Sequence, residues 1–212
     1  MRIDNQWIRR WVPGLGAALG SLLLLGCAGQ SRAVGDLGAS GTEVSGRISV
    51  APNDSGLLHM AVPFFPDDTD QCGPATLASV LTYWGIPTNP WILKEEIYLP
   101  RLKGTLPIDL ILAAQSRGLK AEIYQGSLDN LQSELAQGHP VVALLDLGFA
   151  IFPQGHYVVV TGYDDRRRGV YVHSSLDKDV FVSYERFLPS WDKTGRWTLL
   201  VTPSERRLRS QA

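Results

Sequence analysis

The sequence predicts an α+β domain, with helices in its first half packed against an antiparallel sheet from its second half. Two observations carry this. Between residues 72 and 116 apolar residues recur at helical spacing and stop at glycines. From residue 140 onward the apolar runs are short, rich in Val and Tyr, and divided by turn residues such as Asp164-Asp165-Arg166-Arg167-Arg168-Gly169, which reads as a hairpin. Helices first and strands later indicate segregated layers rather than an alternating parallel sheet.

Taken in order, Met60 to Phe65 reads as an extended lead-in. A helix is expected from Cys72 to Trp84: Leu77, Val80, Leu81 and Trp84 share a face, Pro74 sits in the tolerated first turn, and Gly85 ends it. Further helices are expected over about 90–98 and 107–116, the second stopped by Gly118. Lys120 to Tyr124 is a short strand, and Ser127 caps a helix to about Ala136. Strands follow at Pro140–Leu145, His156–Tyr163, Gly169–His173 and Val180–Tyr184, then a helical piece near Glu185–Trp191 and a last strand at Trp197–Val201. Phe64, Phe65, Trp84, Trp91, Phe149, Phe152, Trp191 and Trp197 are assigned to core and cleft walls. Phe149 and Phe152 lie on a loop that could shape substrate access, and residues 101–105 form an exposed rim.

Residues 1–26 read as an address. Arg2, Arg9 and Arg10 precede an apolar run from Leu15 to Gly26, too short for a comfortable membrane span and suited to a signal peptide. The run ends in Leu24-Leu25-Gly26-Cys27, a bacterial lipobox pattern in which Cys27 carries the lipid; a single membrane anchor is the alternative. Residues 27–57, rich in Gly, Ser, Ala and Asp, bury too little to fold and form a flexible tether. The compact domain is expected at 58–204, followed by a basic tail at 205–212. Such a chain belongs to the cell envelope, held to a membrane by its lipid. Ala28 favours the outer membrane, facing the periplasm, if the cell is Gram-negative.

A formal net charge of −1 offers no argument for nucleic acid. Of the 2 cysteines, lipidation of Cys27 leaves Cys72 as the single mature thiol, which excludes an intramolecular disulfide and a cysteine-based metal cluster. No cofactor is implied. Cys72 opens a helix, where free N–H groups and the dipole favour thiolate and predict a lowered thiol pKa. Gly73 is expected to let substrate approach the backbone. His156 heads the most apolar strand and suits a general base.

The residues Val62-Pro63-Phe64-Phe65, Gln71-Cys72-Gly73-Pro74-Ala75-Thr76-Leu77-Ala78, Gly138-His139-Pro140-Val141-Val142 and Gly155-His156-Tyr157-Val158-Val159-Val160-Thr161-Gly162-Tyr163-Asp164 resemble the bacteriocin-processing peptidases, cysteine peptidase family 39. The resemblance implies a papain-like fold with Cys72 as nucleophile and His156 as base, acting on a peptide or protein. Two departures follow. The glutamine that completes the oxyanion hole in that family falls at Pro66 or Asp67 here, leaving Gln71 as the possible donor. The carboxylate or amide that orients the histidine is replaced by Ser174. The expected function is therefore a lipid-anchored cysteine peptidase. The alternative is a weak or inactive relative that binds a peptide or partner protein in the same cleft.

Overall fold

The computed structural model describes residues 56–67, 69–149 and 151–205. The predicted signal segment, Cys27, nearly all of the tether and the tail from 206 lie outside the described residues. The elements run β1 (Leu57–His59), α1 (Cys72–Tyr83), α2 (Pro90–Ile97), α3 (Pro107–Ser116), β2 (Leu119–Gln125), α4 (Leu128–Ala136), β3 (Val141–Asp146), β4 (Gly155–Asp164), β5 (Gly169–Ser174), β6 (Asp177–Ser183), α5 (Tyr184–Asp192) and β7 (Trp197–Pro203).

Local chemistry sets the helix ends. Pro74 in the first turn of α1 removes a donor that would have no partner, and Gly85 turns the chain out with φ +72°. Asn89 caps α2, its side chain accepting from the N–H groups of Trp91 and Ile92, and Pro90 starts the helix. Ser127 caps α4 by accepting from Asn130 N–H. Gly118, at φ +77°, ends α3.

Seven strands form one antiparallel sheet in the order β2-β7-β3-β4-β5-β6, with β1 paired to the far end of β4 through His59 and Gly162. β4 is buried over nine of its ten residues. Strand β1 was not expected: three residues are too few to show a period, and they bond only because β4 offers an open edge beyond β3. Contact there is close, since a Cβ on Gly162 would lie 2.2 Å from the Leu58 carbonyl oxygen.

α1 packs on β4 and against α2 and α3; α4 and α5 pack on the central strands. Every α1 residue from Gly73 to Leu81 is buried, so the helix is the core of the molecule rather than an amphipathic surface element. Phe187 and Trp191 of α5 are fully buried, each worth about 2–3 kcal/mol in apolar transfer. Three aromatics depart from their expected core or cleft places: Trp91, Phe149 and Phe152 are exposed. The hairpin at 164–169 is as expected, with Asp164 accepting from Arg167 N–H and Arg168 at φ +54°.

Candidate active site

Cys72 is the first residue of α1, half-buried, with its sulfur against the backbone of β4. The N–H groups of Tyr157, Gly73 and Cys72 itself are placed to favour a negative charge on this sulfur. One turn along α1, the Thr76 hydroxyl donates to the Tyr157 carbonyl at 3.3 Å. The start of α1 is thereby fixed beside the head of β4, directly after His156.

His156 is fully buried, and its Nε2 lies 3.0 Å from the Ser174 hydroxyl of β5. Its Nδ1 is buried without a hydrogen-bond partner, an arrangement rare enough in folded proteins to need a reason. Ser174 joins the two halves of the site: it bonds to His156 and lines the same small cavity as Cys72. That cavity, about 20 Å³, also has walls from Phe64, Asp67, Tyr157 and His173, and holds about one water. Side chains alternate along a strand, so His156 stands on the row opposite Tyr157 and Val159. The imidazole does not line the Cys72 cavity and connects to it through Ser174, and no hydrogen bond joins it to Cys72.

The electrostatics reverse the expectation of a lowered thiol pKa. Burial pushes the Cys72 thiol from 9.0 up to about 11, and the Asp67 carboxylate adds to the rise. The three backbone N–H groups act the other way and lose. Burial also lowers the His156 imidazole from 6.5 to about 4. At neutral pH both groups are uncharged. A helix terminus stabilises a thiolate by only about 1 kcal/mol, less than desolvation removes at this position.

The remaining expected residues fall as follows. Gln71 is buried and its amide donates to the Thr69 hydroxyl at 2.6 Å, which in turn donates to Asp67 at 2.8 Å. The amide is therefore held by its own loop. Gly73 has a role different from the one expected: a Cβ there would lie 2.7 Å from Cβ and Oγ1 of Thr105, so the 99–105 loop, rather than substrate, occupies that space. The Tyr157 hydroxyl donates to the Thr105 carbonyl at 3.3 Å, tying the loop to β4. Asp164, at the far end of β4, takes no part.

Of two further cavity residues, one was not legible as a site residue and the other only in part. His173 packs against Phe64, with Nε2 donating to the Val62 carbonyl at 3.0 Å and Nδ1 accepting from Asp179 N–H at 3.2 Å. Both nitrogens are engaged and burial lowers its pKa; it is a strut rather than a base. Asp67 stands five residues before Cys72, visible in the sequence as a missing glutamine but not as a wall of the thiol's own cavity.

The model of the peptidase C39-like family matches residues 59–199, which include Cys72, His156 and Ser174. The chain belongs to that family. Three solved structures share the papain-like fold of this C39-like domain. A double-glycine-motif protease from an AMS/PCAT transporter, solved with its leader peptide, is 23% identical over 69% of this chain and 95% of its own, with a TM-score of 0.57. The peptidase domain of Streptococcus ComA, a bifunctional ABC transporter of a quorum-sensing pathway, is 24% identical over 71% and 99%, with a TM-score of 0.53. A C39-like peptidase from Bacillus anthracis is 21% identical over 74% and 96%, with a TM-score of 0.51. No curated protein matches the chain.

Proposed function

We propose that this C39-like domain is a cysteine peptidase anchored to the cell envelope by a lipid on Cys27, with Cys72 as nucleophile, His156 as base and Ser174 orienting the imidazole. One observation carries the catalytic part. A thiol at the start of a buried helix touches the backbone next to a histidine whose Nε2 is held and whose buried Nδ1 is unpartnered. A proton acceptor kept free at such cost suits a group that takes a proton during the reaction.

The resting pair is neutral, so thiol deprotonation accompanies attack. The Cys72 proton passes to His156 Nδ1 as sulfur bonds to the scissile carbonyl carbon. The C–N bond breaks, the leaving amine takes that proton, and water then releases the thioester with the imidazole as base. The Cys72 N–H at the helix start is the natural donor to the oxyanion. Gln71 joins it only if its bond to Thr69 is exchanged. Substrate is a peptide or protein, in keeping with the leader peptide bound by the related transporter protease.

The thiol held near 11 beside Asp67 favours a second reading, a weak or inactive relative that binds a peptide in the same cleft. A peptide-library digestion separates the two. Cleavage that disappears in Cys72→Ala and falls at least 100-fold in His156→Ala supports the peptidase. Binding of library members without cleavage by the parent chain overturns it.

A further inference from the structure

Phe149, Ile151 and Phe152 are the most exposed large apolar side chains among the described residues, at 86, 83 and 74%. All three stand on the connection from β3 to β4, at the end of β4 that carries His156. This connection is built rather than slack. Phe149 and Phe152 exchange backbone hydrogen bonds of 3.2 and 2.9 Å, and Leu147 N–H donates to Gln154 at 2.9 Å. One Asp146 oxygen accepts from the N–H groups of Gly148 and Gln154, both at 2.8 Å, and the Lys193 ammonium donates to the Gly148 carbonyl at 3.2 Å. A Cβ on Gly148 would lie 2.0 Å from the Phe152 carbonyl oxygen, so only glycine closes the neck. The connection is thus a closed loop bonded to itself, with these three apolar side chains standing in solvent.

Small ligands are held in concave sites, and the two principal cavities among the described residues include none of these three residues. A convex apolar tip suits a medium that closes around it. Two aromatics and an isoleucine above a lysine are the composition of an interfacial membrane contact. Among the described residues no helix is long and apolar enough to cross a membrane, so such a contact would be interfacial.

The chain outside the structure makes the bilayer reachable. Gly56 is fixed at the opposite end of β4, its carbonyl accepting from Asp165 N–H at 3.0 Å. The ten residues of β4 separate it from the tip by roughly 30 Å. About 28 residues lie between Cys27 and Gly56, a length that covers about 30 Å even at the average extension of a Gly/Ser-rich chain. Acyl chain and tip can then occupy one bilayer, the tether raising the local lipid concentration seen by the tip.

We infer that the Phe149–Phe152 tip inserts into the interfacial region of the bilayer and turns the His156 end of the domain toward the membrane. This rests on the lipid-anchored reading, and it restricts substrates to peptides presented at the membrane surface.

The test uses the lipidated full chain carrying Ile151→Trp in vesicles of phosphatidylglycerol and phosphatidylcholine, with and without brominated acyl chains. After subtraction of the parent chain's own tryptophan signal, the added indole should emit to the blue and be quenched at least twofold by bromine. A second pair of chains, both beginning at Ala28 so that neither the acyl chain nor the apolar segment before Cys27 is present, separates the tip from the tether. The one with the natural tip should float with vesicles at least 10-fold more than the one with F149S, I151S and F152S, while Cys72 alkylation stays equal in both. Co-flotation of the lipidated chain with a water-like, unquenched indole overturns insertion and leaves anchoring standing, as does capture of the tip by a protein instead. Failure of the lipidated chain to float at all overturns both.

Discussion

The rate at which Cys72 is alkylated should climb with pH far beyond the range of an ordinary thiol. Burial and Asp67 raise its pKa from 9.0 to about 11, two units, so at a given neutral pH it carries about 100-fold less thiolate than an unperturbed cysteine. Its thiolate fraction at pH 7 is about one in 10,000. The assay is iodoacetamide consumption by the chain, followed by mass spectrometry between pH 7 and 10, where the logarithm of the rate should rise with a slope near one and reach no plateau. His156→Ala should leave the profile unmoved, because an imidazole lowered to about 4 is uncharged throughout that range. Asp67→Asn removes a negative charge that contributes less than burial and less than the Tyr157 N–H. Its rate at fixed pH should therefore rise by about threefold, and by less than 10-fold. A plateau below pH 8.5, or a rate that drops in His156→Ala, would refute the reasoning. Either result means that a thiolate–imidazolium pair exists before substrate binds, and that the helix end and the imidazole outweigh desolvation.

Acid should destabilise the fold through His156. The unfolded histidine binds a proton near 6.5, whereas the buried one resists until about 4. Stability is therefore full above pH 6.5 and is lost as pH falls toward 4, by about 3 kcal/mol in all. Urea melts of the parent chain against His156→Gln should show a flatter acid limb in the variant; parallel limbs would mean that the imidazole is not buried as described. Gly73→Ala forces a Cβ to within 2.7 Å of Thr105. It should cost about 1–3 kcal/mol by overpacking and lower peptide cleavage through displacement of the 99–105 loop, checked by paired melts and turnover.

The helices of this domain were legible because each carries local punctuation. Asn89-Pro90, Pro107 with Gly118, and Ser127 mark helix ends by interactions within a few residues, and the observed bounds of α2, α3 and α4 differ from the expected ones by at most one residue. The strands from β3 to β7 were legible from short Val-rich runs with turns between them, though most ended a residue or more beyond the expected limits, where pairing partners extend the ladder. Strand β1 escaped because it exists only through its pairing with β4. The exposure of Trp91, Phe149 and Phe152 escaped because an aromatic residue does not announce which neighbours will cover it.

The identity of the site residues was written in short motifs: a cysteine before Gly73-Pro74, a histidine at the head of Tyr157-Val158-Val159-Val160, and a serine where a carboxylate or amide would orient the ring. Their chemical state was decided by the tertiary fold. The sequence alone indicates a helix terminus around Cys72, a local effect that favours thiolate. Only the packed structure adds the desolvation of both Cys72 and His156, the carboxylate of Asp67 in the thiol's cavity and the engagement of Gln71 by Thr69. Desolvation sums over everything that surrounds a group, and one whole wall around Cys72, from Tyr157 to Ser175, is distant from it in the chain.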